Sequence, residues 1–419
     1  MMQTPEPTAT AVNSHPGLQK FLARQPIFDR HGGALGYEIL LRSSLNNYFQ
    51  AQPGKDASAL IVDNYLLFGL EALTGGRKAF LNFTRDALVQ DYAALLPNKH
   101  VVVELLENIE PDDEVLAACL RLKKAGYTIA LDDFVFTENV ASLTRFADII
   151  KVDFLTTSRE EQNALARRFA PMGIKMLAEK VETREDVDRG IQLGYVYFQG
   201  YFFCKPQMMT KRDIPGLKLN YLRILKAINR PVIDLGEVEA ILRREPSLLY
   251  KLLRYMNSAS FGLRSRVTSI RHALALLGEN SLRKWTSVAA MVDLASDKPA
   301  ELITIALVRA RFCEQLARPL GLPRRETDLF LLGLMSVMDA VLDRKMNDVL
   351  SEIQLPDEVK AALLGETNKF RPVLESAVAQ EIGDWDRIRT CSDQMGLDEA
   401  QFPEAYLQAV QWVSKLLEE

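Results

Sequence analysis

Seven polar residues, Glu38, Asn82, Glu104, Asp132, Lys151, Glu179 and Gln199, each sit within or at the end of a different apolar run. After the first gap they follow one another at about the spacing of one strand–helix unit. A lone carboxylate in a buried strand is ordinarily half of a structural ion pair. Seven such groups in succession exceed what packing requires, because a buried charge is costly unless it is paired or metal-bound. Glu38, Asn82, Glu104 and Asp132 offer oxygen donors, which suit Mg²⁺ or Mn²⁺ better than a metal that favours thiolate or imidazole. Asp133, next to Asp132, is placed to reach a second ion. Two ions about 3.5–4 Å apart activate a water and stabilise charge on a phosphoryl oxygen. With Lys151 orienting that water or neutralising developing charge, and Glu179 as general base, the expected chemistry is metal-assisted phosphodiester hydrolysis.

The elements that must carry these groups are readable from the pattern. Strands are expected over Phe21–Phe28, Leu35–Leu41, Ala79–Phe83, Val101–Leu106, Tyr127–Leu131, Ile149–Asp153, Ile174–Glu179 and Val196–Tyr201. Most are near-continuous apolar runs, as in strands buried on both faces. Helical patterns fall between them at Ala57–Thr74, Arg85–Leu96, Asp112–Ala125, Arg159–Ala170 and Arg184–Leu193. The alternation predicts a parallel sheet, and one polar group per strand favours an α/β TIM-like barrel, whose strand ends converge on one face.

The chain has 419 residues, a length that predicts two or three domains. Apolar residues make up 48% and charged residues 25%, the balance of a globular protein. A net charge of −4 argues against a protein that coats nucleic acid or an anionic membrane. No apolar run is long enough for a spanning helix, and the first residues show no secretory signal, so a cytoplasmic location is expected. Cys119, Cys204, Cys313 and Cys391 are far apart, which suits reduced thiols. The four His leave little room for imidazole chemistry, so an enzyme here works with carboxylates. Beyond residue 206 the strand signal fades into helical spacing punctuated by Pro and Gly, predicting an all-α domain. Helices are expected at Leu217–Asn229, Gly236–Arg244, Leu248–Asn257, Ile270–Leu277, Leu282–Leu294, Glu301–Leu320, Glu326–Leu342 and Pro403–Leu417.

The ordered motifs of the first half resemble the EAL domain family of cyclic-di-GMP phosphodiesterases and their degenerate relatives. They are Gln25-Pro26-Ile27, Glu38-Ile39-Leu40-Leu41-Arg42, Asn82 in F-L-N-F-T, Glu104 with Glu107, and Asp132-Asp133-Phe134. Lys151-Val152-Asp153, Ala178-Glu179-Lys180-Val181-Glu182 and Gln199 through Pro206 complete the set. The resemblance implies metal ligation by Glu38, Asn82, Glu104 and Asp132, with Asp133 at a second metal. It makes Glu179 the general base, with Lys151 and Gln199 supporting the metal–water site. Gln25, Arg42 and Glu182 would hold substrate, and Glu107 would anchor the loop after Asp133. Active members continue D-D-F with G-T-G, where this chain has Val135-Phe136-Thr137. Val and Phe do not easily take the φ > 0 or close backbone approach that glycine allows. Lys180 replaces a glycine beside Glu179, bringing a cation that either disturbs or partners the site, and Ile39 replaces an alanine.

In the second half, the run from Glu245 and the pattern Ser269-Ile270 through Leu277-Gly278 resemble the HDOD family. Ser336 in Gly333-Leu334-Met335-Ser336 stands where related metal-dependent HD phosphohydrolases carry a histidine. His272 reads as a helix-surface or satisfied core residue, and this half as a regulatory or protein-interaction module. The expected organisation is a tail over 1–17, an EAL-like barrel over 18–207, a linker over 208–216 and an HDOD-like helical domain over 217–419. The resemblance implies a bacterial signalling protein whose barrel binds cyclic-di-GMP with Mg or Mn and hydrolyses it weakly or conditionally to pGpG. A catalytically inactive receptor or a scaffold is the alternative. A protein partner through the HDOD domain and a homodimer are among the associations the resemblance implies; nucleic acid and membrane are not.

Overall fold

The computed structural model describes residues 21–42, 70–205, 216–256, 267 and 270–418. The expected tail, most of the linker, residues 57–69 of the first expected helix and the last residue, Asn257, of the helix expected from Leu248 lie outside the described residues.

Eight strands close into a barrel in chain order. They are β1 (Phe21–Asp29), β2 (Ala34–Arg42), β3 (Lys78–Phe83), β4 (Val101–Leu105), β5 (Thr128–Leu131), β6 (Ile149–Asp153), β7 (Lys175–Glu179) and β8 (Tyr197–Gln199). The expectation of a wholly parallel sheet needs one correction, because β1 runs antiparallel to both β2 and β8. The connection over residues 30–33 is a tight turn in which the Asp29 carboxylate accepts from the backbone N–H groups of His31 and Gly33. Such a turn joins antiparallel strands only, since a parallel pair needs a crossover of a dozen or more residues.

Around the barrel lie α1 (Leu70–Thr74), α2 (Arg85–Val89), α3 (Asp113–Lys124), α4 (Arg159–Phe169) and α5 (Arg184–Leu193). Side chains of Thr84, Asp112, Ser158 and Thr183 accept from backbone N–H groups in the first turns of α2 to α5, fixing each helix start. The single helix expected over Arg85–Leu96 is broken by Asp91, whose φ of 61° is left-handed; a short 3₁₀ turn follows.

The second half is helical: α6 (Gly216–Ile228), α7 (Leu235–Arg244), α8 (Pro246–Met256), α9 (Ile270–Leu294), α10 (Ala300–Gln315), α11 (Glu326–Met335), α12 (Met338–Leu342), α13 (Met346–Glu352), α14 (Asp357–Leu363), α15 (Arg371–Ile382), α16 (Trp385–Met395) and α17 (Gln401–Glu418). Gly278, at φ 70°, kinks α9 between the two helices expected there. His272 is exposed on α9. The sequence reading places no helices at α13 to α16. In α15 the reason is visible: Ser376, Gln380 and Glu381 are buried beside Val373 and Ala377, so no apolar stripe separates from a polar face. That helix packs on β1, where the Gln380 amide donates to the Leu22 carbonyl at 2.6 Å. α17 packs on β1 as well. No helix of the described residues is long and apolar enough to cross a membrane.

Candidate functional site

The site is written into the barrel strands with a period of two. Ile27, Phe80, Val102, Ala130, Ile149 and Leu177 point into the barrel and form a small apolar core of their own. On the parallel strands the residue two places later also points inward. Those residues are Asn82, Glu104, Asp132, Lys151 and Glu179, with Asp132 just past the end of β5. Gln199 stands two places beyond Tyr197, which packs against the same core. On β1 the direction is reversed, so the matching residue precedes Ile27 by two and is Gln25. The layer is completed by Glu38, paired with Gln25 in the β1–β2 register. The seven strand-end groups named from sequence therefore converge, as expected.

Lys151 stands at the centre, fully buried. Its Nζ lies 2.6 Å from Asp132, 2.9 Å from Glu104, 3.0 Å from Glu179 and 3.2 Å from Glu38. Glu38 also accepts from the Gln199 amide at 2.7 Å and from Asn82 at 3.3 Å. Four carboxylates thus share one ammonium. Burial pushes the Glu104 carboxyl well above the usual range, and burial with the neighbouring Asp132 and Glu38 charges pushes Glu179 up to about 8 despite Lys151. Asp132 is raised for the same reasons. Glu38 goes the other way: burial opposes its charge, but Lys151 and the Gln199 and Asn82 amides hold it below the usual range. Lys151 is held charged by its four carboxylates against its burial.

The donor set fits a hard divalent cation. Asn82 Oδ1, Glu104 Oε2, Glu179 Oε2 and Asp133 Oδ1 are buried oxygens with no hydrogen-bond partner, and the excess of carboxylates over ammonium calls for further positive charge. The four carboxylates point at Lys151 Nζ. Consequently no three of the described acidic, His or Cys residues converge on one point at ligand distance.

The remaining expected residues are more scattered. Gln25 faces the site and links it to the helical half: its Oε1 accepts from Gln199 at 2.8 Å while its Nε2 donates to the Ile382 carbonyl of α15 at 3.1 Å. Glu182 lies at the rim, exposed, and pairs with Lys205 at 2.9 Å. The side chain of Arg42 lies outside the described residues. Glu107 is exposed after β4, with no hydrogen bond to the 135–137 loop among the described residues. That loop is pinned elsewhere: Phe136 packs on Phe169 of α4, and the Arg168 guanidinium sits 3.6 Å over its ring. Gly200, at φ 145°, lets β8 pass so close to Val181 that a Cβ would lie 2.1 Å from the Val181 carbonyl oxygen. This fixes Gln199 against the β7 end.

A cleft of about 390 Å³ opens over this layer, lined on one side by Glu38, Asp132 and Glu179 and on the other by Glu301, Glu381 and Tyr406 of the helices. Sequence reasoning missed this second wall. It also gave no role to Asp153, which accepts from Lys180 Nζ at 2.5 Å. A buried acid that closes a K-V-D strand was the available signal for Asp153. Glu301 and Glu381 carry none, because their partners Tyr37 and Tyr201 are distant in sequence.

Comparison with known proteins agrees with this architecture. Residues 70–206 match the EAL domain and residues 214–365 the HDOD domain. The EAL match begins after β2, yet β2 closes the barrel and supplies Glu38. The chain is 33% identical over 410 residues to the uncharacterized protein YuxH of Bacillus subtilis, covering 96% of this chain and all of that one. It is 30% identical over 396 residues to the cyclic di-GMP phosphodiesterase CdgJ of Vibrio cholerae, covering 94% of this chain and 92% of that one. A solved calcium/cyclic-di-GMP complex of Klebsiella pneumoniae BlrP1 aligns at 24% identity over 48% of this chain and 57% of that one, with a TM-score of 0.37. On these matches over nearly its whole length, the chain belongs to the family that joins an EAL domain to an HDOD domain.

Proposed function

We propose that the barrel binds cyclic-di-GMP with Mg²⁺ or Mn²⁺ and hydrolyses it, weakly or conditionally, to pGpG, with the HDOD half regulating access. The observation that carries this reading is the single inward layer in which four carboxylates surround one buried lysine and leave oxygens unsatisfied. The naming of CdgJ as a cyclic di-GMP phosphodiesterase supports the choice of substrate.

In this reading Glu38, Asn82, Glu104 and Asp132 would hold a divalent cation, which would supply Lewis acidity at the phosphoryl oxygen and lower the pKa of water. Glu179, whose carboxyl is raised by burial and its acidic neighbours in the metal-free site, would be ionised by the added positive charge and then accept the proton of the attacking water. Lys151, fixed between carboxylates, would present its ammonium to the oxygen on which charge develops. Gln199 keeps Glu38 in place, and Gln25, Arg42 and Glu182 hold the nucleotide, Arg42 by a charge-assisted contact to phosphate.

A second reading, a protein scaffold that does not hold the nucleotide, is favoured by one observation: the Gln25 amide that would meet substrate is taken by the Ile382 carbonyl. The test is a hydrolysis assay with Mn²⁺ on the full chain and on Glu38→Ala, beside calorimetric binding of cyclic-di-GMP with Ca²⁺ present. Turnover abolished by Glu38→Ala is expected. Binding without turnover selects the receptor, and no binding at micromolar nucleotide leaves only a scaffold.

A further inference from the structure

Lys180 follows Glu179 directly and is one of four non-glycine residues of the described chain with positive φ, at 52°. Glycine takes that conformation freely, whereas a side chain takes it only against steric repulsion, so a lysine there needs a reason. A second member of the four, Asp133, has φ 40° and faces it across the cleft rim. The Lys180 ammonium lies 2.5 Å from Asp153 Oδ2 and 3.8 Å from Asp133 Oδ1. Asp153 is a fixed anchor: it is buried, and its other oxygen accepts from the backbone N–H groups of Leu155 and Thr156. Asp133 Oδ1 is buried with no hydrogen-bond partner, and the Lys180 charge 3.8 Å away compensates it. The 135–137 loop does not compete for this place, since Phe136 is held on α4.

We propose that Lys180 is a tethered cation that takes the place of a second divalent ion at Asp133, making the barrel a one-ion site. Any ion ligated by Asp133 Oδ1 would share that oxygen with an ammonium anchored on Asp153. Two cations around one carboxylate repel, and the one covalently attached does not dissociate. The ammonium lines the cleft beside Asp132 and Glu179, where it meets a phosphoryl oxygen as a donor and a charge without lowering the pKa of water. The inference rests on the reading of the barrel as a divalent-cation site.

The test is titration of the full chain with Mn²⁺ alone, read by calorimetric stoichiometry and by the electron paramagnetic resonance spectrum. The wild-type chain and Lys180→Arg are expected to bind one Mn²⁺ with the spectrum of an isolated ion. Lys180→Gly, whose backbone is relieved at φ 52°, is expected to bind two, with exchange coupling between neighbouring ions. Two ions in the wild-type chain, or a single ion in Lys180→Gly, overturns the role of Lys180 alone. No Mn²⁺ bound by any of the three overturns the divalent-cation reading itself, and this inference with it.

Discussion

Two buried ionic clusters face each other across one cleft, and their charge balance differs. On the barrel side four carboxylates surround Lys151. On the helical side Arg309 meets one carboxylate, Glu381, through two parallel bonds of 2.7 Å from Nε and Nη2. Its Nη1 donates to Ser336 at 3.1 Å, and Tyr201 of the barrel donates to Glu381 at 3.2 Å. The pair is neutral and its oxygens are satisfied, an arrangement that keeps a buried salt bridge from being a liability. The Lys151 cluster crowds four carboxyl groups on one ammonium and leaves buried oxygens of Glu104 and Glu179 without a hydrogen-bond partner. A protein keeps such a destabilised cluster where function needs it, and the neutral cluster where two halves must be held together. Ser336 reinforces the contrast, since its hydroxyl completes the Arg309 network.

Mutations should separate the two clusters by sign. The largest effect is expected from Arg309→Ala, which leaves Glu381 buried and unpaired and should cost about 3–5 kcal/mol in urea unfolding of the full chain. The loss should be the same with and without Mn²⁺; a change below 1 kcal/mol would break the comparison.

The opposite sign is expected at the barrel. The Glu179 carboxyl, at about 8 when folded against an ordinary value of 4.5, keeps a proton that the unfolded chain releases. The metal-free fold therefore loses stability as pH rises from about 4.5 to about 8 through this group. Glu104 and Asp132, raised as well, add to the loss in the same sense. Glu38 and Lys151 titrate outside that window, with folded values below the ordinary carboxylate value and above the ordinary lysine value. Glu179→Gln should accordingly stabilise the metal-free chain at pH 8, on the order of 2 kcal/mol after the cost of burying an amide, and by little near pH 4.5. Thermal unfolding at the two pH values checks this, and destabilisation at pH 8 would remove the argument for an under-neutralised cluster.

The smallest effect sharpens the border between the halves. Gln380→Ala removes the amide bond to the Leu22 carbonyl and should cost about 1 kcal/mol while leaving Mn²⁺ affinity unchanged. A loss of Mn²⁺ binding would mean that the seat of α15 and the metal layer are one unit.

Much of the barrel was legible because its information is local. Strand identity follows from apolar runs, and the site from one polar residue two places beyond each inward apolar one. Phe80 and Asn82, Val102 and Glu104, and Ile149 and Lys151 illustrate this. The apolar runs do not carry the direction of β1, which the turn over residues 30–33 sets antiparallel to β2. Helices α13 to α16 were missed for another reason. Burial against neighbours, and not a separable stripe, stabilises α15, so its polar Gln380 and Glu381 read as solvent-facing until their partners are known.

By itself the sequence determined the eight strands, the polar layer they carry and the change to helices after residue 206, because side-chain periodicity and residue type act over a few positions. Only the tertiary structure decided that Gln25 joins that layer while bound to Ile382, that Lys180 leans from Asp153 toward Asp133, and that Glu381, held by Arg309, walls the cleft. Those relations join residues far apart in the chain. They depend on which surfaces are buried together and on the charge that burial leaves unbalanced, neither of which a local pattern encodes.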